Sequence, residues 1–107
     1  MRLLLDECVD QGLCVFFEPH ECYSAGYAGL AGLKNGALLT AAGEAGFEGL
    51  ITTDQEIPHQ QNLAARRISI VILCAPTNRM ADLERLAPEV LLALESIAPG
   101  QVVRIKK

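Results

Sequence analysis

The sequence is poor in aromatic side chains, poor in cations and without a close cysteine pair. It has no Trp, two Tyr and three Phe, too few for the rows of rings on which single-strand binders stack successive bases. Nine Lys and Arg stand against thirteen Asp and Glu, a formal charge of -4. A broad phosphate-gripping surface is thereby excluded, and any contact with nucleic acid has to rest on a few local cations and a bound metal. Cys8, Cys14, Cys22 and Cys74 contain no C-x-x-C spacing, which argues against structural zinc. Cysteine is among the most often buried residues, so the expectation is small core thiols in a reducing cytosol. Long apolar runs are missing as well. Leu3-Leu4-Leu5 meets Asp6 too soon for a secretory leader, and the run near Ile70–Ala75 is far too short to span a bilayer. A soluble, cytoplasmic chain is expected, with no membrane contact. Gly26, Gly29 and Gly32 lack the G-K-[ST] ending of a phosphate loop and read as loop formers.

What the sequence does have is apolar mass and alternation of elements. Half of its 107 residues are hydrophobic, enough for one packed core and too few residues for two. Arg2–Leu5 reads as a buried first strand. A helix over 9–17 follows, stopped by Pro19, and then a second strand over 20–25. Asn35 suits a helix N-cap, with Leu38, Ala41, Ala42 and Ala45 on one face. A third strand covers 49–53, a short polar helix 59–66, and the clearest strand 68–74. Asn78 can cap a last helical region in which Leu83, Leu86, Val90, Leu91, Leu94 and Ile97 face the core, and Pro88 kinks or splits it. A short strand over 101–105 closes the chain. Strands alternating with helices predict an α/β fold with a mainly parallel sheet of about five strands, joined by right-handed crossovers.

In such a sheet every strand-to-helix loop leaves from the carboxyl edge, where these folds bind ligands. Asp6 and Glu7 follow the first strand, Lys34 and Asn35 precede the middle helix, Asp54 and Glu56 follow the third strand, and Arg79 follows the fourth. Asp6 and Asp54 are therefore expected to converge. Two neighbouring carboxylates repel unless a cation sits between them, and Mg²⁺ or Mn²⁺ suits a pair of carboxylates while keeping several waters. Glu7 points away from Asp6 if the strand continues through it. Asp54 also has a purely structural reading as an N-cap, since Thr53 and Glu56 fit the capping box T-x-x-E. Lys34 and Arg79 either hold a phosphate or are ordinary surface cations. Arg66, Arg67 and His20 precede strands and belong to the opposite edge. His59 lies just past the third loop. Glu44 reads as solvated.

The blocks M-R-L-L-L-D-E-C-V, G-Y-A-G-L-A-G-L-K-N-G-A-L-L and L-I-T-T-D-Q-E-I…H-Q-Q-N-L, continued by N-R-M-A-D-L and V-V-R-I, cover nearly the whole chain. They resemble the short PIN-like domains related to VapC-type toxins of type II toxin–antitoxin pairs. The resemblance implies a three-layer Rossmann-like sandwich and a ribonuclease using Mg²⁺ or Mn²⁺ held by clustered acids. It implies Asp6 and Asp54 as the catalytic, metal-holding acids. Asn35 stands where many relatives carry an acid, and Glu7 and Glu56 are further candidate ligands. Lys34, Arg79, Gln61 and Asn62 are candidate contacts to RNA. An antitoxin protein and a homodimer are the partners the resemblance implies.

Two other functions remain open at this level. The neutral Asn35 leaves fewer charged ligands than a full site, which fits a PIN-like module that binds without cutting. The second is a receiver-type phospho-acceptor domain, since Asp54…Pro58 echoes a D-x-x-x-P loop. A receiver, however, needs Thr or Ser ending the fourth strand, where Cys74-Ala75-Pro76 stands, and Lys ending the fifth, where Lys106 comes only at the terminus.

Overall fold

The computed structural model describes residues 1–57 and 66–106, and of Asn35 the backbone alone. Among the described residues five strands form one sheet: β1 (Arg2–Leu5), β2 (Glu21–Ser24), β3 (Gly49–Thr52), β4 (Ser69–Cys74) and β5 (Val102–Lys106). Their order is β2-β1-β3-β4-β5, and every neighbouring pair is parallel. The helical segments among the described residues are a 3-10 helix, Gln11–Phe17, and the α-helices α1 (Asn35–Glu44), α2 (Met80–Glu84) and α3 (Ala87–Leu94).

The central strands are apolar without alternation because both of their faces are covered. Leu3 and Leu5 of β1 pack on one side with Ile51, Val71 and Leu73, beneath Leu13 and Phe17 of the 3-10 helix and Leu83, Val90 and Leu94 of α2 and α3. Leu4, Leu50, Ile70 and Ile72 point to the other side, where Leu38, Leu39 and Ala42 of α1 cover them. This is the three-layer arrangement expected of an α/β fold. A fully buried Leu contributes about 1.5–3 kcal/mol by leaving water, and β1 supplies three of them in a row.

The helices differ from expectation in detail. The first is a 3-10 helix beginning two residues later than predicted, with the Asp10 side chain accepting the Gly12 N–H at 2.8 Å. Lys34, not Asn35, occupies the N-cap of α1. The buried face of α1 is Leu38, Leu39 and Ala42. Ala45 is exposed just past its end, where Gly46 turns the chain at φ 87°. Arg79, not Asn78, caps α2. Pro88 splits the last helical region in two, sitting in the first turn of α3, where a missing N–H forfeits no bond. The predicted helix over 59–66 lies outside the described residues except for Arg66.

The hand of the crossovers also departs from expectation. The β1-to-β2 connection and the β4-to-β5 connection run over the same face of the sheet, yet they step across it in opposite directions. One of the two therefore has the left-handed sense that parallel crossovers rarely adopt.

The cysteines correct a further expectation. Cys14 of the 3-10 helix and Cys22 of β2 form a disulfide, with Cα atoms 5.3 Å apart. Cys8 and Cys74 are free, Cys8 exposed and Cys74 half-buried. None of the four belongs to the fully buried core. Among the described residues no helix is long and apolar enough to cross a membrane.

Candidate functional site

The chain steps from β1 outward to β2, then crosses back over β1 to β3. The loops after β1 and β3 diverge at that point, and a crevice opens between them at the carboxyl edge. Asp6 is the first residue beyond β1, held by its N–H to the Ile51 carbonyl at 3.0 Å. Asp54 lies two residues beyond β3. Both are half-buried. They line one cleft of about 490 Å³ with Glu7, Cys8 and Lys34, over an apolar floor that includes Leu38 and Ile57. The topology thus brings together the acids the sequence singles out, from positions far apart in the chain.

One hydroxyl organises the pair. Thr52, the last residue of β3, is fully buried. Its Oγ1 donates to Asp6 Oδ2 at 2.8 Å and accepts the Asp54 N–H at 3.0 Å. Asp6 Oδ1 accepts the Glu7 N–H at 2.8 Å, so both oxygens of Asp6 are oriented by the protein. Asp54 Oδ1 accepts the Glu56 N–H at 2.9 Å, an Asx-type turn in which the side chain serves the local backbone. The capping-box reading is therefore half present, because Thr53 does something else. Its hydroxyl donates to Cys8 Sγ at 3.1 Å, and the same sulfur lies 3.6 Å from Thr52 Oγ1.

β1 ends at Leu5, so strand alternation does not set the direction of Glu7, which lines the same cleft as Asp6. Its Oε1 accepts the Gly32 N–H at 2.5 Å, so the carboxylate ties down the loop after β2. Gly32 sits at φ 85°, a backbone setting that an L side chain adopts only with strain.

The other candidate residues divide. Lys34 is exposed at the cleft and supplies the cation nearest the acids among its lining residues. The α1 backbone places Asn35 beside it, at the start of the helix. Glu56 contributes its backbone to Asp54 but is exposed and not part of the lining. Arg79 begins α2 after β4, one strand farther out, and does not line the cleft. It is a helix-capping position whose N–H meets Thr77 Oγ1 at 3.1 Å. Gln61, Asn62 and His59 lie outside the described residues. Arg66 and Arg67 are at the opposite edge as expected, lining a separate cavity of about 710 Å³ with Glu44 and Glu48. Thr52 is the residue that sequence reasoning passed over. Its signal was the T-x-D spacing, which puts a hydroxyl at the strand end two residues before the acid.

Among the described residues no three His, Cys, Asp or Glu side chains stand close enough to hold one metal ion between them. The donor set is two carboxylates beside an open mouth. That suits a hard ion keeping most of its waters, Mg²⁺ or Mn²⁺, and does not suit an all-protein cage. Comparison with protein families, with curated proteins and with solved structures returns no match.

Proposed function

We propose that the chain is a metal-dependent endoribonuclease of the PIN-like type, the toxin of a toxin–antitoxin pair, acting on RNA in the cytoplasm. The observation that supports it most is the meeting of Asp6 and Asp54 at the sheet's switch point, joined through the Thr52 hydroxyl. In this reading Asp6 and Asp54 hold Mg²⁺ or Mn²⁺, and Asn35 adds at most an uncharged oxygen. When bound, the ion supplies Lewis-acid polarisation of a phosphoryl oxygen and a more acidic attacking water. Thr52 fixes the rotamer of Asp6, and the Glu56 N–H aims Asp54. Lys34 offsets phosphate charge at the mouth. The antitoxin and a second copy of the chain are the proposed protein partners. Against a strictly reducing compartment stands the Cys14–Cys22 disulfide.

Cleavage of single-stranded RNA with Mn²⁺ or Mg²⁺ tests the proposal. Asp6→Asn and Asp54→Asn should each abolish it, and growth arrest on expression, with unchanged circular dichroism. Full activity in both variants would sink it.

A second reading is a PIN-like module that binds RNA or a partner without cutting. The uncharged Asn35 at the start of α1 favours it, and binding with no cleavage under any divalent ion is its signature. A receiver role draws support from the strand order β2-β1-β3-β4-β5, which doubly wound receivers share. The crossovers of opposite hand count against it, because uniformly right-handed winding would carry α2 and α3 over the face of α1. Phosphorylation of Asp54 by a small phosphodonor would revive it.

A further inference from the structure

The cavity of about 710 Å³ at the amino edge of the sheet has no part in the ribonuclease reading. Its walls come from the end of α1, the turn into β3, the start of β4 and the turn into β5. Leu39, Phe47 and Ile68 are core residues that also line it, and Ile97 adds to the apolar wall. The size is that of a pocket for one small molecule, which pairs an apolar lining with a few placed polar groups.

The polar groups of the wall favour an anion. Arg66 and Arg67 both line the cavity, and no ion pair among the described residues engages either one. The Arg66 guanidinium donates to Thr40 Oγ1 at 3.0 Å, which holds it in place and leaves most of its N–H donors for a ligand. The Arg67 backbone is tied to the turn before β5, its carbonyl accepting the Gly100 N–H at 3.0 Å. Of the two glutamates in the wall, Glu48 is already engaged, accepting the Arg2 N–H at 3.0 Å. Carbonyls at the end of α1 would repel an anion, but those of Ala42, Gly43 and Ala45 are occupied. The Phe47 and Gly46 N–H groups meet the first two at 3.0 and 3.1 Å, and Arg2 Nη1 meets the third at 2.7 Å.

Gly43 keeps the space open. It stands in the last turn of α1, where alanine would make a better helix. Its φ is not left-handed, and among the described residues nothing lies within 4 Å of the Cβ it lacks. Neither backbone geometry nor packing therefore calls for glycine there. Leu39, Thr40 and Gly43 share one helix face, so a side chain at 43 would add bulk at the cavity the other two line.

We propose that this cavity binds a small organic anion, a carboxylate on an apolar body. The carboxylate sits on Arg66 and Arg67, and the apolar body lies against Leu39, Phe47 and Ile68. A guanidinium fork matches a carboxylate through two parallel hydrogen bonds. The site is independent of the ribonuclease reading and of the acids at the opposite edge.

Isothermal titration calorimetry of the full chain with octanoate tests it. One octanoate should bind per chain. Octan-1-ol, which has the same tail and no charge, should bind about 10- to 100-fold more weakly. Octanoate should weaken to the same degree on the chain carrying Arg66→Gln and Arg67→Gln together, which loses the charge-assisted bonds. Gly43→Leu adds bulk without a clash at Cβ, and should abolish binding with unchanged circular dichroism. Asp6→Asn should bind octanoate as the parent chain does. No octanoate binding to the full chain overturns the proposal, as does parent-like affinity in Gly43→Leu or in the double arginine variant. Loss of binding in Asp6→Asn overturns it by moving the anion to the acid cleft. Inorganic phosphate competing with octanoate on equal terms overturns it too, because the cavity would then be a patch of charge with no use for an apolar body.

Discussion

Thr52 donates a 2.8 Å hydrogen bond from the buried end of β3 to Asp6 at the end of β1. The same oxygen accepts the Asp54 N–H, so two acids 48 positions apart in the sequence share one hydroxyl.

Thr52→Val keeps the shape and removes the hydroxyl. It leaves a carboxylate oxygen and a backbone N–H without their partner, which should cost about 1–3 kcal/mol in urea unfolding. RNA cleavage should fall at least about tenfold, and Thr52→Ser should recover most of both. A Val variant as stable and as active as the parent chain would show that the hydroxyl does not organise the site.

Metal binding should be visible without any catalysis. Mn²⁺ at about a hundred times its dissociation constant should stabilise the chain by about 2.7 kcal/mol. Asp6→Asn and Asp54→Asn should abolish that gain, measured as the shift of the thermal midpoint with added ion. Equal shifts in the parent and both variants would place the ion elsewhere.

Glu7 predicts a loop effect. Glu7→Ala removes the acceptor for the Gly32 N–H, so amide exchange over 26–32 should quicken while β1, β3 and β4 stay protected. Gly32→Ala should act on the same loop from the backbone side, at a cost of about 1–2 kcal/mol for the left-handed setting.

The disulfide gives a prediction on stability. Closing the short loop between Cys14 and Cys22 is worth about 2–3 kcal/mol on the chain-entropy account. Dithiothreitol should lower the unfolding free energy by that amount. In a chain with both residues changed to Ser it should have no effect.

Much of this was readable from residue order. β1 and β4 announce themselves as unbroken apolar runs, because central strands of a parallel sheet bury both faces. Asp6 and Asp54 converge for the topological reason that strand-to-helix loops share one edge. The disulfide was not readable, since a sequence separation of eight from Cys14 to Cys22 matches no framework spacing, and only the pairing of the 3-10 helix with β2 brings them together. The buried face of α1 was misread at Ala45 because that helix ends one residue earlier. Arg79 was placed near the acids by its position after a strand. Strand order, which periodicity does not encode, sets it one strand away. Thr52 was visible as a letter but not as a hub, because a hydroxyl's partners are a property of packing.

The shared face of the first and last connections bears on how the chain is made. Leu13 and Phe17 are covered by α2 and α3, some sixty to eighty residues later in the chain. A nascent chain that has emerged only as far as Asp54 holds both acids, but one side of its sheet lies bare to water. Synthesis from the N-terminus therefore yields both acids before it yields a finished core. That side should be covered in one step, when the C-terminal helices dock on Leu13 and Phe17.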